Sequence, residues 1–450
     1  MPIDLSTLVT DLVSRAMKAG ATAAESVARD GNEFSTSVRM GQVETLKESG
    51  GCSVGLRVFA GQRTASTYAS DLSAESLDRM VKSAVELAKI TSEDPNAGLP
   101  DPAELGKLTT DLKLHYDDVW ELPPAERIDY ARRAEKAALE TDKRLGNSDS
   151  ASFDCSSGKT AFANSLGFLG ESRGTSCSVS AVPIAVAEDG SMQRDGWFAR
   201  SRSIANLESP EAVGKEAARR ALLRLGARKM PTQQVPIVYD PQMSRGLLEE
   251  VFDAITGDAV WRQASFLAGK IGLQVAGDNV TIVDDSTIPG GFGSSPFDGE
   301  GLPSRRTVVV EKGILKSYLL NTYTARKLGM RSTGNASRPV AGNPGISSGN
   351  FFLQKGEFTP QQILGDIKNG FYVTDIFGFG VNTVTGDYSQ GASGLWIQNG
   401  ELAFPVEEVT VAGNLKDMLR NISMIGTDLE FRGSTAAPTI RIEGMTVGGA

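Results

Sequence analysis

Glu249, Glu250 and Asp253 are the acidic residues whose spacing most invites chemistry in this chain of 450 residues. They lie in the stretch Leu247–Asp258, LLEEVFDAITGD. Leu247, Leu248, Val251, Phe252 and Ile255 recur there at helical spacing, which predicts one helix with a buried apolar stripe. Glu249 and Asp253 fall on the other side, and Ala254 lies one turn on from Glu250. Two histidines one turn apart, with a glutamate between them, would hold zinc and take a proton from a metal-bound water. This helix has the glutamate and neither histidine. Glu249, Glu250, Asp253 and Asp258 could instead offer oxygens to Mg²⁺ or Ca²⁺. Carboxylates on the outer face of an amphipathic helix are more commonly just solvated.

Other reactive groups are sparse. The chain has a single histidine, His115, in KLHYDDVWEL. It has three cysteines, Cys52, Cys155 and Cys177, with no CxxC pair. Three cannot close a disulfide framework, which fits a reducing compartment. No GxSxG elbow occurs. The run Gly290–Gly293 lacks the Lys-Ser/Thr of a phosphate loop, and no long helix follows GFGVNTVTGD (Gly378–Asp387). Two denser polar strings remain. Ser295–Thr307 carries Asp298, Glu300, Arg305 and Arg306, and Ser332–Pro339 ends in Arg338. A loop braced by carboxylate–arginine pairs and a ligand-binding loop weigh equally here.

The elements that position these residues read as three blocks. Residues 1–110 form an N-terminal α+β unit: a helix over Leu5–Ala19, strands at Ala24–Arg29, Phe34–Met40, Gln42–Ser49 and Cys52–Phe59, and a helix over Ser73–Ile90. Gly31, Gly41, Gly50, Gly51 and Gly61 are read as turns. Asp94–Leu112 reads as a linker. Residues 115–227 repeat the order with helices at Ala125–Asp142 and Pro210–Leu225. CSVGLRV at Cys52 answers CSVSAVPI at Cys177, which suggests a duplication of the first unit. Residues 230–450 read as a β-rich domain, a barrel or sandwich with a few helices. The fold class expected is α+β.

Composition bounds the function. The chain is 40% hydrophobic and 22% charged, with net charge −9. An acidic surface repels phosphate backbones, so direct nucleic-acid binding is not expected. No uncharged apolar run approaches the ~18 residues a membrane helix needs. Asp4 and Asp11 interrupt the N-terminal pattern, against a secretory signal. A cytoplasmic protein is expected.

Three long strings, Thr281–Arg338, Val381–Glu401 and Pro405–Leu419, stand in an order that resembles the TldD/PmbA family. Its members are also called modulators of DNA gyrase and are classed as metallopeptidases. In the TldD branch the helix at Leu247–Asp258 reads HExxxH, and a C-terminal cysteine completes a zinc site. Laid on this sequence, those positions are Glu249, Glu250 and Ala254, and GSTAAPTIRIEGMTVGGA holds no cysteine. The chain is similar to the PmbA (TldE) branch, which lacks the motif. The resemblance implies a subunit with no catalytic residue, metal or cofactor of its own. Zinc would sit in a TldD-like HExxxH partner, in a heterodimer that encloses unfolded peptides; the many strand edges, which need cover, also allow a homodimer when the chain is alone. Phe297, Asp298, Glu300, Gly301, Thr385, Gly386 and Asp387 are the expected peptide-binding residues, because glycine lets a peptide backbone come close. The alternatives are a stand-alone peptidase with a carboxylate-only metal site and a binding protein that modulates gyrase.

Overall fold

The computed structural model describes residues 4–449. The N-terminal lobe is built from helix α1 (Leu5–Lys18), strands β1 (Ala23–Arg39), β2 (Gln42–Ala60) and β3 (Arg63–Ala69), and helix α2 (Ala74–Ile90). There follow α3 (Asp118–Glu121), α4 (Pro124–Leu139), β4 (Asn147–Asn164), β5 (Leu169–Val186), β6 (Met192–Arg194), β7 (Trp197–Ser201) and α5 (Pro210–Leu223). The helices start where capping chemistry allows. The side chains of Asp4, Ser73 and Ser209 each accept a backbone N–H of the first turn, satisfying a donor that has no partner within the helix.

The two units share one sheet. Its order is β3-β2-β1-β4-β5, with β6 and β7 both on β5. β1 and β4 pair antiparallel from Glu25–Asn164 to Val38–Ala151. The expectation of short strands separated at Gly31, Gly50 and Gly51 is therefore corrected: β1 and β2 run straight through these glycines. Extended backbone tolerates glycine, and pairing on both sides of each strand outweighs its entropic cost of about 0.5–1 kcal/mol. Gly41 and Gly61 do sit at hairpin turns. The element order of the two units repeats, but the matched strings are out of step. Gly51 and Gly174 hold corresponding places in the sheet, one residue before Cys52 and three before Cys177.

One face of the sheet carries the four long helices of this lobe, α1, α2, α4 and α5. Ala24 and Ala28 of β1 pack under α1 and α2, while Phe34 and Val38 of the same strand pack under α4 and α5. These residues alternate with Val27, Arg29, Gly31 and Glu33, which face the opposite side.

The C-terminal lobe opens with strand β8 (Gln233–Tyr239), helices α6 (Pro241–Ile255) and α7 (Gly257–Trp261), and strands β9 (Ile282–Asp285) and β10 (Arg306–Glu311). β9 and β10 belong to a five-stranded sheet that includes Asn350–Leu353. β8 pairs with Asn369–Phe377, which continues to Asp387–Gln398, Glu401–Asn414 and Ile440–Gly448. The last of these pairs with both Glu401–Asn414 and β8, closing a five-stranded barrel. The α+β architecture with a β-rich C-terminal region is as the sequence predicts.

An arginine seam joins the lobes. Arg220 and Arg432 lie over the ring of Trp197, 5.1 and 4.5 Å from its centre. Arg224 reaches Asp375 at 3.0 Å and the Ser393 hydroxyl at 2.8 Å. The 94–112 segment is pinned across the lobes: Gly106 N–H donates to Gly301 O, Leu108 N–H to Pro296 O, and Arg326 to Leu99 O. Among the described residues no helix is long and apolar enough to cross a membrane.

Candidate functional site

Helix α6 begins six residues before the predicted stretch, because Asp240 caps it and Pro241 suits its first position. Leu247, Leu248, Val251, Ala254 and Ile255 are buried and share a core with Ile237, Tyr239, Phe371 and Ile442 of the barrel. Each buried Leu, Val or Ile contributes about 1.5–3 kcal/mol. The exposed Arg245–Glu249 pair at 3.6 Å contributes less than about 1 kcal/mol. Apolar burial therefore decides how the helix is turned.

That turn places the three motif positions differently. Glu249 points to solvent. Glu250 is half-buried, and burial, then Asp253 and Glu249, push its carboxyl above the usual range. Ala254 is fully buried and its carbonyl accepts the Ser265 hydroxyl. A zinc ion would have no donor at position 254 and a solvated carboxylate at 249. Among the described residues no group of three or more His, Cys, Asp or Glu side chains converges to hold a metal. The residues at this helix do not fit the zinc that the HExxxH pattern implies. His115 contacts Asp117 at 3.0 Å, away from the helix in sequence and packing.

Phe297, Asp298 and Gly299 line a cavity of about 280 Å³ between the lobes, together with Val27, Arg29, Phe162 and Arg338, whereas Glu300 and Gly301 of the same loop do not. Phe297 closes its apolar end, its ring 5.3 Å from that of Phe168. Asp298 also lines the cavity, but its carboxylate is used by the loop: it accepts the N–H groups of Glu300, Leu302 and Ala336. Glu300 is fully buried behind it and accepts Thr322 N–H at 2.8 Å. Burial, then the neighbouring Asp298, push Glu300 up to about 7. Gly301 sits against the Phe168 ring with φ of +87°. Thr385, Gly386 and Asp387 belong to a turn on the barrel and are not among the residues lining this cavity. The Thr385 hydroxyl and the Asn414 amide donate to Asp387, holding its carboxyl below the ordinary value. The structure thus brings the Phe297 loop to the domain junction and leaves the Thr385 turn apart from it.

Several site residues carried no local signal. Asp284 is buried, raised to about 6 by desolvation, and accepts N–H groups of Asn335 and Gly349 at 2.7 Å. Glu25 is fully buried against Arg57 at 2.6 Å and Arg338 at 2.8 Å. These contacts join residues from 32 positions apart, Glu25 and Arg57, to 313, Glu25 and Arg338, beyond any spacing rule. Arg200, Arg202 and Phe292 line a second, larger groove on the sheet. Of the glycines along this groove, Gly31, Gly50 and Gly51 were visible in the sequence but read as turns.

A long antiparallel sheet backed by helices is joined to a closed barrel whose helix carries glutamates without a metal-donor set among the described residues. Comparison with known proteins gives the family. Family models described as PmbA/TldA metallopeptidase domain 1, central domain and C-terminal domain match residues 24–88, 117–225 and 232–449. The chain is 39% identical to "Metalloprotease PmbA" of Escherichia coli O157:H7 over 417 residues, 92% of this chain and 90% of that one. It is 34% identical to a Haemophilus influenzae PmbA homologue, covering 99% and 96%. A crystal structure of a candidate modulator of DNA gyrase from Bacteroides thetaiotaomicron superposes with TM-score 0.92, at 26% identity and full coverage of both chains. TldE from Thermococcus kodakarensis shares the fold, with TM-score 0.88 at 20% identity over 98% and 99% of the two chains. The chain belongs to the PmbA/TldD family.

Proposed function

We propose that this chain is the non-catalytic subunit of a two-component cytoplasmic metallopeptidase that encloses and cleaves unfolded peptides. The observation that carries this reading is Ala254: the position where the motif needs its second histidine is an alanine with no exposure. No rotamer change or local shift can turn that side chain into a ligand. Without a metal, Glu250 has no acidified water to deprotonate. Zinc then belongs to an HExxxH-bearing partner, and this chain supplies cavity wall and strand edges that bind extended peptide through main-chain groups. A lasting subunit contact needs more than about 2,000 Å² of buried surface.

Elemental analysis after gel filtration tests this directly. The purified chain should carry less than about one-tenth of a zinc per molecule. Co-expressed with the HExxxH protein of the same genome, it should elute as a heterodimer that holds zinc and cleaves unfolded peptide. Stoichiometric zinc in this chain alone, with peptidase activity, would overturn the reading.

A further inference from the structure

A polar groove of about 580 Å³ crosses the sheet face opposite the helices. Its floor is glycine. Gly51 pairs with Gly31, Gly31 with Gly158, and Gly158 with Gly174, so four glycines form one line across β2, β1, β4 and β5. None of the four has a positive φ, so the backbone does not demand glycine. Packing does not demand it at two of the four positions either, whereas a Cβ on Gly31 or Gly174 would meet Ser157 O at 3.3 Å or Arg202 at 3.1 Å. A Cβ on Gly51 would meet nothing within 4 Å, and on Gly158 its nearest neighbour would be 3.6 Å away. Each glycine in a strand interior costs about 0.5–1 kcal/mol relative to alanine. Open space above the floor is what this cost secures, and glycine inside a strand marks the close approach of another backbone.

The groove's walls are hydroxyls and its end is cationic. Ser49, Ser156 and Ser176 line one side and Thr160 the other. Arg200 and Arg202 stand beyond β5 over the ring of Phe292, 4.5 and 5.0 Å from its centre. Among the described residues no carboxylate pairs with either guanidinium, and burial lowers both below the ordinary arginine value. Arg202 spends its terminal nitrogens on the carbonyls of Thr175, Gly291 and Phe292, and its Nε is buried without a partner. At mid-groove Glu33 and Arg29 flank Gly31, one on each side of the glycine line, and Arg29 donates to Arg338 O.

We infer that this groove binds an extended peptide along the glycine line, with a carboxylate of that peptide at Arg200 and Arg202. The inference rests on the peptide-handling reading above. Four adjacent strands span roughly 14 Å, the length of about four extended residues. The peptide main chain lies on the glycines, where no side chain lifts it, and exchanges hydrogen bonds with the flanking hydroxyls. Glu33 and Arg29 offset each other at mid-groove, so the surplus positive charge lies at Arg200 and Arg202, which draws the peptide's acidic end there. Nucleic acid fits less well, given net charge −9, Glu33 in the groove, and the Phe292 ring already stacked by arginine.

The test is fluorescence anisotropy on the full chain with a labelled, unstructured peptide of about ten residues ending in Asp-Glu, long enough to span the groove. Gly51→Val and Gly158→Val add strand-favouring side chains where the folded chain has room, so melting temperature should hold. Both should weaken binding by about tenfold or more. Arg200→Gln should abolish the preference for the Asp-Glu peptide over an Asn-Gln analogue or a C-terminally amidated one. Whichever analogue loses affinity on the unmodified chain identifies the carboxylate as side-chain or terminal. Unchanged binding in both valine variants at retained melting temperature would overturn the inference. So would inorganic phosphate displacing the peptide while the valine variants leave its affinity unaltered, the mark of a small-anion site. If the valine variants bind normally but the chain still assembles with its zinc partner and the pair cleaves peptide, the groove falls and the subunit reading stands. If peptide binding is lost in those variants but no HExxxH partner assembles, the subunit reading falls and the groove stands.

Discussion

Glu300 and Asp298 are neighbours in a loop with almost no water, and they divide the charge unequally. Asp298 accepts three backbone N–H groups, each favouring its ionised form. Glu300 accepts one and faces Asp298, with Arg57 as the more distant cation. Glu300 is therefore the member that keeps its proton, titrating at about 7. The folded state then binds this proton more tightly than the unfolded chain does. Stability falls as pH rises from about 4.5 to about 7, and the loss is complete above that window. Glu300→Gln removes the titration while keeping an oxygen for Thr322 N–H. The variant should melt above the parent at about pH 8 and level with it near pH 4.5. Parallel melting curves with the same gap at both pH values would contradict the assignment. The sequence displayed these two acids as a dense polar string; which of them is solvated, paired or neutral was not legible, because burial comes from β-strands and loops far along the chain.

At the scale of elements, the turn that carries Thr385, Gly386 and Asp387 accounts for its own residues. Gly386 is buried with φ of +86°, its N–H donates to Asn382 O, and its carbonyl accepts Leu415 N–H. A Cβ there would lie 2.9 Å from the Asn414 side chain. Gly386→Val should therefore cost about 1–3 kcal/mol through backbone strain, read as a drop in denaturant midpoint. A variant that keeps its midpoint and loses only peptide binding would assign the glycine to a ligand instead. The same element scale explains the misread strands. A glycine between two apolar runs looks identical in sequence whether it turns the chain or lies flat in a sheet. β1 lies flat because β2 and β4 pair with both of its edges through Gly31.

Across the whole molecule, the lobes meet through buried charge. Glu25 of β1 has no exposure and is held between Arg57 of β2 and Arg338 of the C-terminal lobe. Val340 O also lies where a Cβ on Gly55 would stand, so the loop after Arg338 rests directly on the sheet. Glu25→Gln leaves two buried guanidiniums without the carboxylate they contact, with Glu300 the remaining acid near them. It should lower unfolding free energy by about 3–5 kcal/mol, measured by chemical denaturation. A midpoint equal to that of the parent would show that the triad carries no net interaction. Because Arg338 also lines the cavity beside Phe297, the same ion pairs that join the lobes shape the space between them.

The amino-acid sequence by itself determined the α+β class, the amphipathic stripe of α6, the absence of the HExxxH ligands and the family. Those follow from residue type and short-range periodicity, which survive in any context. Only the tertiary structure decided that two units share one sheet, that the barrel closes through Ile440–Gly448, and that Ala254 rather than Glu250 faces the core. It also decided that glycines 51, 31, 158 and 174 fall into a single line. The β1–β4 register links Gly31 to Gly158, 127 positions apart, and it is selected by the summed burial of long strands under four helices. No local pattern around any one of those glycines encodes the other three.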